Sequence, residues 1–322
     1  MPPPTGLAAL DQGAITGGAL PDMPPAAPRA APPSPGLSHA VAEEALALLA
    51  GLAPSGVLRR RLDAAAPILA ALDAAGTATG AVTAWADRTD PSPGLHSGTR
   101  LPPGDTPLVD PHLVDTPPSD KPLWETPLWA ALLDAVTVQE TRFFRAASQL
   151  VSLAALLPSL PGPPRLLSAG CATGEEAWTL SALAVQAGIE AEVTGLDLCR
   201  PALAAAEAGR YGAGPPDALR EVPPAYRHLF RRDGPWVEAV VPRPSFRRAN
   251  LLALPEDTGR FSAILCRNVL IYLLPAARGA VLRGLVARLA TGGALLLGPT
   301  DSPGPGLPLV SVPGAPGIWR RR

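Results

Sequence analysis

The sequence predicts an α/β chain: a doubly wound, mostly parallel sheet covered by helices on both faces, with a small inserted β-subdomain and a small helical unit ahead of it. Three observations predict this. From residue 129 onward, short apolar runs suited to buried strands alternate with segments of helical period. A loop of small residues joins the first of those strands to the next helix, as at the ligand-binding edge of doubly wound sheets. A stretch rich in Pro, Asp, Ser and Thr separates this half from helical segments nearer the N-terminus.

Taken in order, residues 1–37 mix Pro with Ala and Gly and carry too little large apolar surface to offset their ordering entropy, so a disordered tail is expected. Ser38 can cap a helix over 39–50, with Gly51 as its stop. Over 57–72, Leu58, Leu62, Ile68, Leu69 and Leu72 recur near helical spacing, and Pro67 should kink or split the run. Residues 38–89 are thus expected to form the small helical unit. Arg59, Arg60 and Arg61 inside it read as a solvated face, with a site for an acidic partner as the other reading. Residues 90–127 read as a linker on which no core can be built. Residues 128–322 then supply helices over 129–135 and 143–157, a strand at 165–168, a helix over 175–187, a strand at 191–196 and a helix over 201–208. Buried strands at 261–266 and 294–297 follow, with a helix over 275–289 between them. The rhythm breaks between 211 and 250. There Gly234-Pro235 reads as a turn, and short strands at 236–241 and 245–246 suggest an antiparallel flap inserted over about 212–249.

Composition narrows the function classes. The 27 Lys and Arg nearly cancel the 28 Asp and Glu, so no whole-chain field attracts nucleic acid or an anionic membrane, and a partner must be recognised locally. Cys171, Cys199 and Cys266 lie far apart without metal-ligand spacing. No metal site and no disulfide framework are expected, which suits a reducing cytoplasm. No basic stretch followed by an apolar run opens the chain, and no segment offers roughly 18 uninterrupted apolar residues, so neither export nor membrane insertion is expected. A monomer is expected.

The chemistry concentrates in a few segments. In Leu166-Leu167-Ser168-Ala169-Gly170-Cys171-Ala172-Thr173-Gly174-Glu175-Glu176 a strand runs into a small-residue loop and then a helix. Gly170 and Gly174 remove the Cβ obstacle to a ligand's close approach, although a tight connection without ligand has the same form. The spacing is not G-x-G-x-x-G, and Glu175 would repel pyrophosphate, so a cationic ligand suits the loop better than a dinucleotide. Asp197 follows a strand about twenty residues on, where a carboxylate can accept from both ribose hydroxyls. It can equally cap the helix that begins near Pro201, and both roles can hold at once.

Two further segments complete the pattern: Thr137-Val138-Gln139-Glu140-Thr141-Arg142-Phe143-Phe144-Arg145, and Cys266-Arg267-Asn268-Val269-Leu270-Ile271-Tyr272 at the end of a buried strand. Together with Ser168 to Glu176, with Asp197 through Gly209-Arg210-Tyr211, and with Phe246-Arg247-Arg248-Ala249-Asn250-Leu251, they resemble the CheR-type chemotaxis receptor methyltransferases in order and spacing. The resemblance covers roughly residues 129–302. It implies a class I, Rossmann-like domain binding S-adenosylmethionine, whose substrates are glutamate side chains on the cytoplasmic domain of methyl-accepting chemotaxis receptors. The family's ligand-binding positions fall on Gln139, Thr141, Arg145, Glu175, Asp197, Asn250, Leu251, Arg267 and Asn268, and Gly170 joins them in the loop. By analogy Asp197 holds the ribose, and Asn250 with Leu251 lies near the adenine. Arg145 and Tyr272 are implied as the pair nearest the transferred methyl group. A glutamate, with a reference pKa of about 4.3, is already ionised at neutral pH, so such a reaction needs alignment rather than a strong base. Arg145 can steer a carboxylate through its planar fork, and Tyr272 can set its ring or hydroxyl near the sulfonium. The structural alternatives are a salt bridge for Arg145 and a core position for Tyr272. The sequence departs from the family at Gln139, where Asn is usual, and at Gly298-Pro299-Thr300-Asp301-Ser302, which replaces Gly-His-Ser-Glu-Ser. Other readings of the same fold are a methyltransferase for another protein or a small molecule, or a non-catalytic cofactor-binding signalling module.

Overall fold

A computed structural model of the chain describes residues 37–75 and 122–322, all within one unit, Gly36–Arg322. The expected tail, residues 76–89 of the helical unit and most of the expected linker lie outside the described residues.

Helix α1, His39–Ala50, begins where the Ser38 hydroxyl accepts the Val41 N–H and ends at Gly51 in left-handed conformation (φ 67°), as the sequence predicts. Ser55 likewise caps α2, Gly56–Ala64, through the Leu58 N–H. Pro67 sits in the first turn of α3, Ala66–Ala74, so it splits the 57–72 run rather than bending it. Leu46, Leu49, Leu62, Leu69 and Leu72 bury one face of this unit against α4, Pro127–Val136, through Trp129, Leu132 and Leu133. Helix α4 completes the helical core, and Trp124, in the stretch on which no core was expected, is 7% exposed within that same core.

Helix α5 runs over Ala147–Leu156, four residues later than the helix expected over 143–157. Residues 143–146 form a turn instead, with Phe144 and Ala146 both at φ 54°. Tertiary packing overrides helical periodicity: the Phe143 ring sits edge-on to Tyr211 and Phe230, and Phe144 lies against Tyr226.

The sheet then forms as predicted from β1 (Arg165–Ala169), α6 (Glu175–Gln186), β2 (Glu192–Asp197) and α7 (Arg200–Ala208). Short strands β3 (Tyr211–Gly212), β4 (Phe230–Asp233) and β5 (Trp236–Ala239) make the antiparallel flap in order β3-β5-β4, with Gly234 and Pro235 at its hairpin tip. The expected third piece of that flap, at 245–246, is β6 (Ser245–Arg248), and it belongs elsewhere. It pairs in parallel with β2 as an edge strand of the main sheet, because Phe246 packs beside Gly195, where no Cβ stands in the way. Then come β7 (Phe261–Cys266), α8 (Pro275–Arg288), β8 (Leu289–Leu297), β9 (Leu309–Ser311) and β10 (Ile318–Arg321). The main sheet runs β6-β2-β1-β7-β8-β10-β9, parallel from β6 to β8 and antiparallel at β10 and β9. All six residues of β7 are buried, as a strand covered on both faces requires. The strand order reverses direction between β1 and β7, and there the carboxyl ends open a crevice. Among the described residues no helix is long and apolar enough to cross a membrane.

Candidate functional site

That crevice opens into a cleft among the described residues. The ends of β1, β2 and β7 form its floor, and its roof is the stretch from Ala50 to Leu58 together with the segment after α4. The roof is bonded down: the Ala53 N–H donates to the Tyr272 carbonyl, the Leu274 N–H to the Gly51 carbonyl, each at 2.8 Å, and Asn250 Nδ2 to the Leu49 carbonyl at 2.6 Å. Nothing in the local sequence marked 50–58 as part of a site, since the bonds that fasten it over the cleft reach partners far along the chain.

Gln139, Thr141, Arg145, Gly170, Asp197, Asn250, Leu251, Arg267, Asn268 and Tyr272 all line this cleft. Glu175 lies outside this lining. Its carboxylate accepts from the Thr173 hydroxyl at 2.6 Å and faces a smaller depression shared with Arg142, Tyr211 and Arg220. Burial there pushes its carboxyl above the usual range. The next residue along α6, Glu176, turns into the cleft.

Asp197 ends β2. One carboxylate oxygen accepts the Ala172 N–H at 2.8 Å and the other the Cys199 N–H at 2.9 Å, so it ties the small-residue loop to the start of α7. Burial raises its carboxyl above the ordinary aspartate value, against the pull of those two donors. A carboxylate has about four acceptor directions, so backbone donors do not exhaust its capacity for a ligand. Asn250 is spent differently: its amide holds Leu49, and its carbonyl oxygen caps the turn at Leu252. It shapes the cleft chiefly as a fastener.

Arg267 is 7% exposed and equally committed, with Nε on Glu176 at 2.7 Å and Nη1 on the Arg145 carbonyl at 2.7 Å. Arg145 keeps more freedom. Its Nη1 donates to the Glu140 carbonyl at 2.8 Å, its Nη2 pairs with the Glu140 carboxylate at 3.8 Å, and its side chain, 23% exposed, lines the cleft. Ala172 (φ 48°) and Asn268 (φ 58°) both hold left-handed backbone at the cleft wall, as Phe144 and Ala146 do beside Arg145. Such strain persists only where surrounding structure fixes it.

The residues fit an adenosyl sulfonium ligand. Gln139 donates Nε2 to the Thr137 hydroxyl at 2.9 Å, while its buried Oε1 has no hydrogen-bond partner among the described residues. An unsatisfied buried acceptor in a cleft calls for a donor such as an ammonium group. Asp197 offers its free acceptor directions nearby in the same cleft. A Cβ on Gly170 (φ 79°) would come within 2.3 Å of Val269, so the loop closes tightly beneath this space. Sequence reading missed Glu176; an acidic side chain on an otherwise apolar helix face, with Arg267 at a neighbouring strand end, was the available signal.

Residues 139–303, just over half of the chain, match the family described as CheR methyltransferase, SAM binding domain. The chemotaxis protein methyltransferase of Klebsiella aerogenes is 34% identical over 189 residues, covering 53% of this chain and 63% of that protein. The probable biofilm formation methyltransferase WspC of Pseudomonas aeruginosa is 32% identical over 189 residues, covering 53% of this chain and 44% of that one. This chain thus spans less than two thirds of either relative. Among solved structures, PKMT2 from Rickettsia typhi is similar over 50% of this chain and 26% of its own, at a TM-score of 0.33 and 15% identity. The chain belongs to the CheR methyltransferase family and carries its S-adenosylmethionine-binding domain.

Proposed function

We propose that this protein, a cytoplasmic monomer, transfers a methyl group from S-adenosylmethionine to glutamate side chains on the cytoplasmic domain of methyl-accepting chemotaxis receptors, leaving glutamate methyl esters and S-adenosylhomocysteine. Bound S-adenosylmethionine supplies a methyl group activated by a positive sulfur, and a neutral thioether departs. The protein's part is then to bind, to align and to exclude water. The observation that supports this reading is that Arg145 and Tyr272 line the same cleft as Asp197. Asp197 holds the ribose, and Gln139 Oε1 accepts from a donor on the amino-acid end. Arg145 aims the acceptor carboxylate through charge-assisted hydrogen bonds, and Tyr272 closes the far wall. Residues 137–322, which take in Gln139 and Arg145 as well as β1 to β10, act as the catalytic unit, with α1 to α4 as its roof.

The test uses the purified chain, radiolabelled S-adenosylmethionine and receptor cytoplasmic fragments, including fragments from a biofilm-forming signalling system. Mass spectrometry should locate a methyl ester on a glutamate. Tight S-adenosylhomocysteine binding without transfer to any fragment would replace this reading by that of a cofactor-binding signalling module. Arg145→Ala should lower turnover by about a hundredfold, the scale expected for losing alignment of a reacting group, while leaving the melting temperature unchanged.

A further inference from the structure

A chain of buried polar contacts runs under Arg145. Glu176, in the first turn of α6, is 9% exposed. One of its oxygens accepts from the Ser168 hydroxyl at 2.7 Å, and the other from Arg267 Nε at 2.7 Å. Arg267 then carries the contact across to the Arg145 carbonyl. That carbonyl sits between Phe144 and Ala146, the two left-handed residues of the 143–146 turn. Non-glycine residues are held in such backbone only at an energetic penalty, so something must retain them there. On the aromatic side Phe143 and Phe144 are held by Tyr211, Tyr226 and Phe230, and the Phe144 N–H reaches Thr179 Oγ1 at 3.3 Å. On the cleft side the hold comes from Arg267.

We infer that Glu176 is a positioning residue for methyl transfer, acting through Arg267 to fix the turn that presents the Arg145 guanidinium to the cleft. Two features favour positioning over mere stability. A buried ion pair adds little net stability compared with apolar packing, because desolvation offsets the Coulomb gain. This one, moreover, is anchored at its far end by a hydroxyl on β1, an inner strand paired on both sides, so it fixes the Arg267 fork relative to the sheet. The Glu176 charge also offsets that of Arg267, which leaves the cleft's attraction for an incoming carboxylate to Arg145.

The inference rests on the methyltransfer reading above. Its test combines hydrogen exchange on the free protein with kinetics on the full chain. In Glu176→Gln, amides over 142–149 should exchange about tenfold faster while those of β1 stay protected, the signature of local opening. Turnover should fall about tenfold to a hundredfold, as expected when a reacting group is displaced by about 1 Å. The S-adenosylhomocysteine dissociation constant, read by calorimetry, should stay within about threefold, a change of under 1 kcal/mol. Ser168→Ala removes one bond to the same carboxylate and should move all three readouts in the same sense but less, which serves if the Gln variant fails to fold. Unchanged exchange over 142–149, full turnover, or affinity lost in step with turnover would each overturn the role. Absence of methyl transfer by the wild type would sink the functional reading instead, and the exchange measurement would still decide whether Glu176 holds the turn.

Discussion

The Asp197 carboxylate accepts backbone N–H groups from Ala172 and Cys199 and still turns toward the cleft, so under the proposed function loop geometry and ribose binding depend on the same two oxygens. Replacing it with Ala should weaken S-adenosylhomocysteine binding by about 1–3 kcal/mol, the scale for losing hydrogen bonds to a charged acceptor. Calorimetry that finds unchanged affinity would remove Asp197 from the ribose site. The pH dependence follows from burial, which raises this carboxyl. The ionised form accepts ribose hydroxyls and a proton competes with them, so affinity is full above the raised value and is lost as pH falls through it. The decline should therefore begin at a higher pH than an ordinary aspartate would give, and Asp197→Asn should flatten the profile. Gly174 offers a purely conformational counterpart. It starts α6 at φ 92°, and a Cβ there would lie 2.6 Å from Ala206 Cβ and 3.0 Å from its Cα, which is backbone and cannot swing aside. Gly174→Ala should lose about 1–3 kcal/mol in denaturant unfolding, from strained backbone together with that clash.

Among the elements, α4 and α7 are joined by a cap that neither supplies alone. No side chain of its own caps α7, and Asp134 on α4 fills that place, accepting the Arg200 N–H at 2.8 Å and Arg200 Nε at 2.6 Å. Arg61 pins the same C-terminal end of α4 by donating to the Ala135 and Thr137 carbonyls at 3.2 and 2.9 Å, and Arg59 pairs with Glu43. Two of the three consecutive arginines are therefore fasteners within the roof. Asp134→Ala should cost about 1 kcal/mol of stability, the usual worth of an N-cap, and should also weaken S-adenosylhomocysteine binding because the α7 start carries the Asp197 turn. Stability lost with affinity intact would mean that the roof contact and the ribose site are independent. Elements whose signals are local were legible in the sequence: the Ser38 cap, the Gly51 stop, the split at Pro67, and the all-apolar β7. Those decided by distant partners were not. Nothing near Asp134 announces a helix 66 residues away, the assignment of β6 to the main sheet rests on the gap beside Gly195, and the late start of α5 follows from where the Phe143 and Phe144 rings pack. The site divides in the same way. Its motif residues meet in one cleft, whereas the 50–58 lining and the turn of Glu176 rather than Glu175 into that cleft depend on packing that motif spacing does not encode.

At the scale of the whole molecule, the cleft is assembled from both the helical roof and the sheet, and this makes ligand binding a report on their association. The roof is fastened at Leu49, Gly51 and Ala53 to Asn250, Leu274 and Tyr272, three residues on loops that follow β6 and β7. Arg248 adds a fourth tie, with Nη2 on the Trp124 carbonyl at 3.2 Å and its guanidinium 4.8 Å over the Trp124 ring. A ligand seated between these layers binds only the closed arrangement, so it must stabilise roof and sheet together. At a ligand concentration a hundred times the dissociation constant the gain is about 2.7 kcal/mol, whatever the affinity. For a folded unit of this size that amounts to a rise of about 5–10 °C in melting temperature, at roughly 2–4 °C per kcal/mol. The more specific expectation concerns where the protection appears. Amides of α1, α2 and α4 should slow in hydrogen exchange on adding S-adenosylhomocysteine by as much as those at the carboxyl ends of β1 and β2, although α1 and α2 belong to a helical layer distant in sequence from the family motifs. If protection instead stops at the sheet and leaves the roof helices exchanging as before, the roof opens freely above the bound ligand, and the contacts from 49 to 53 do not hold the site closed.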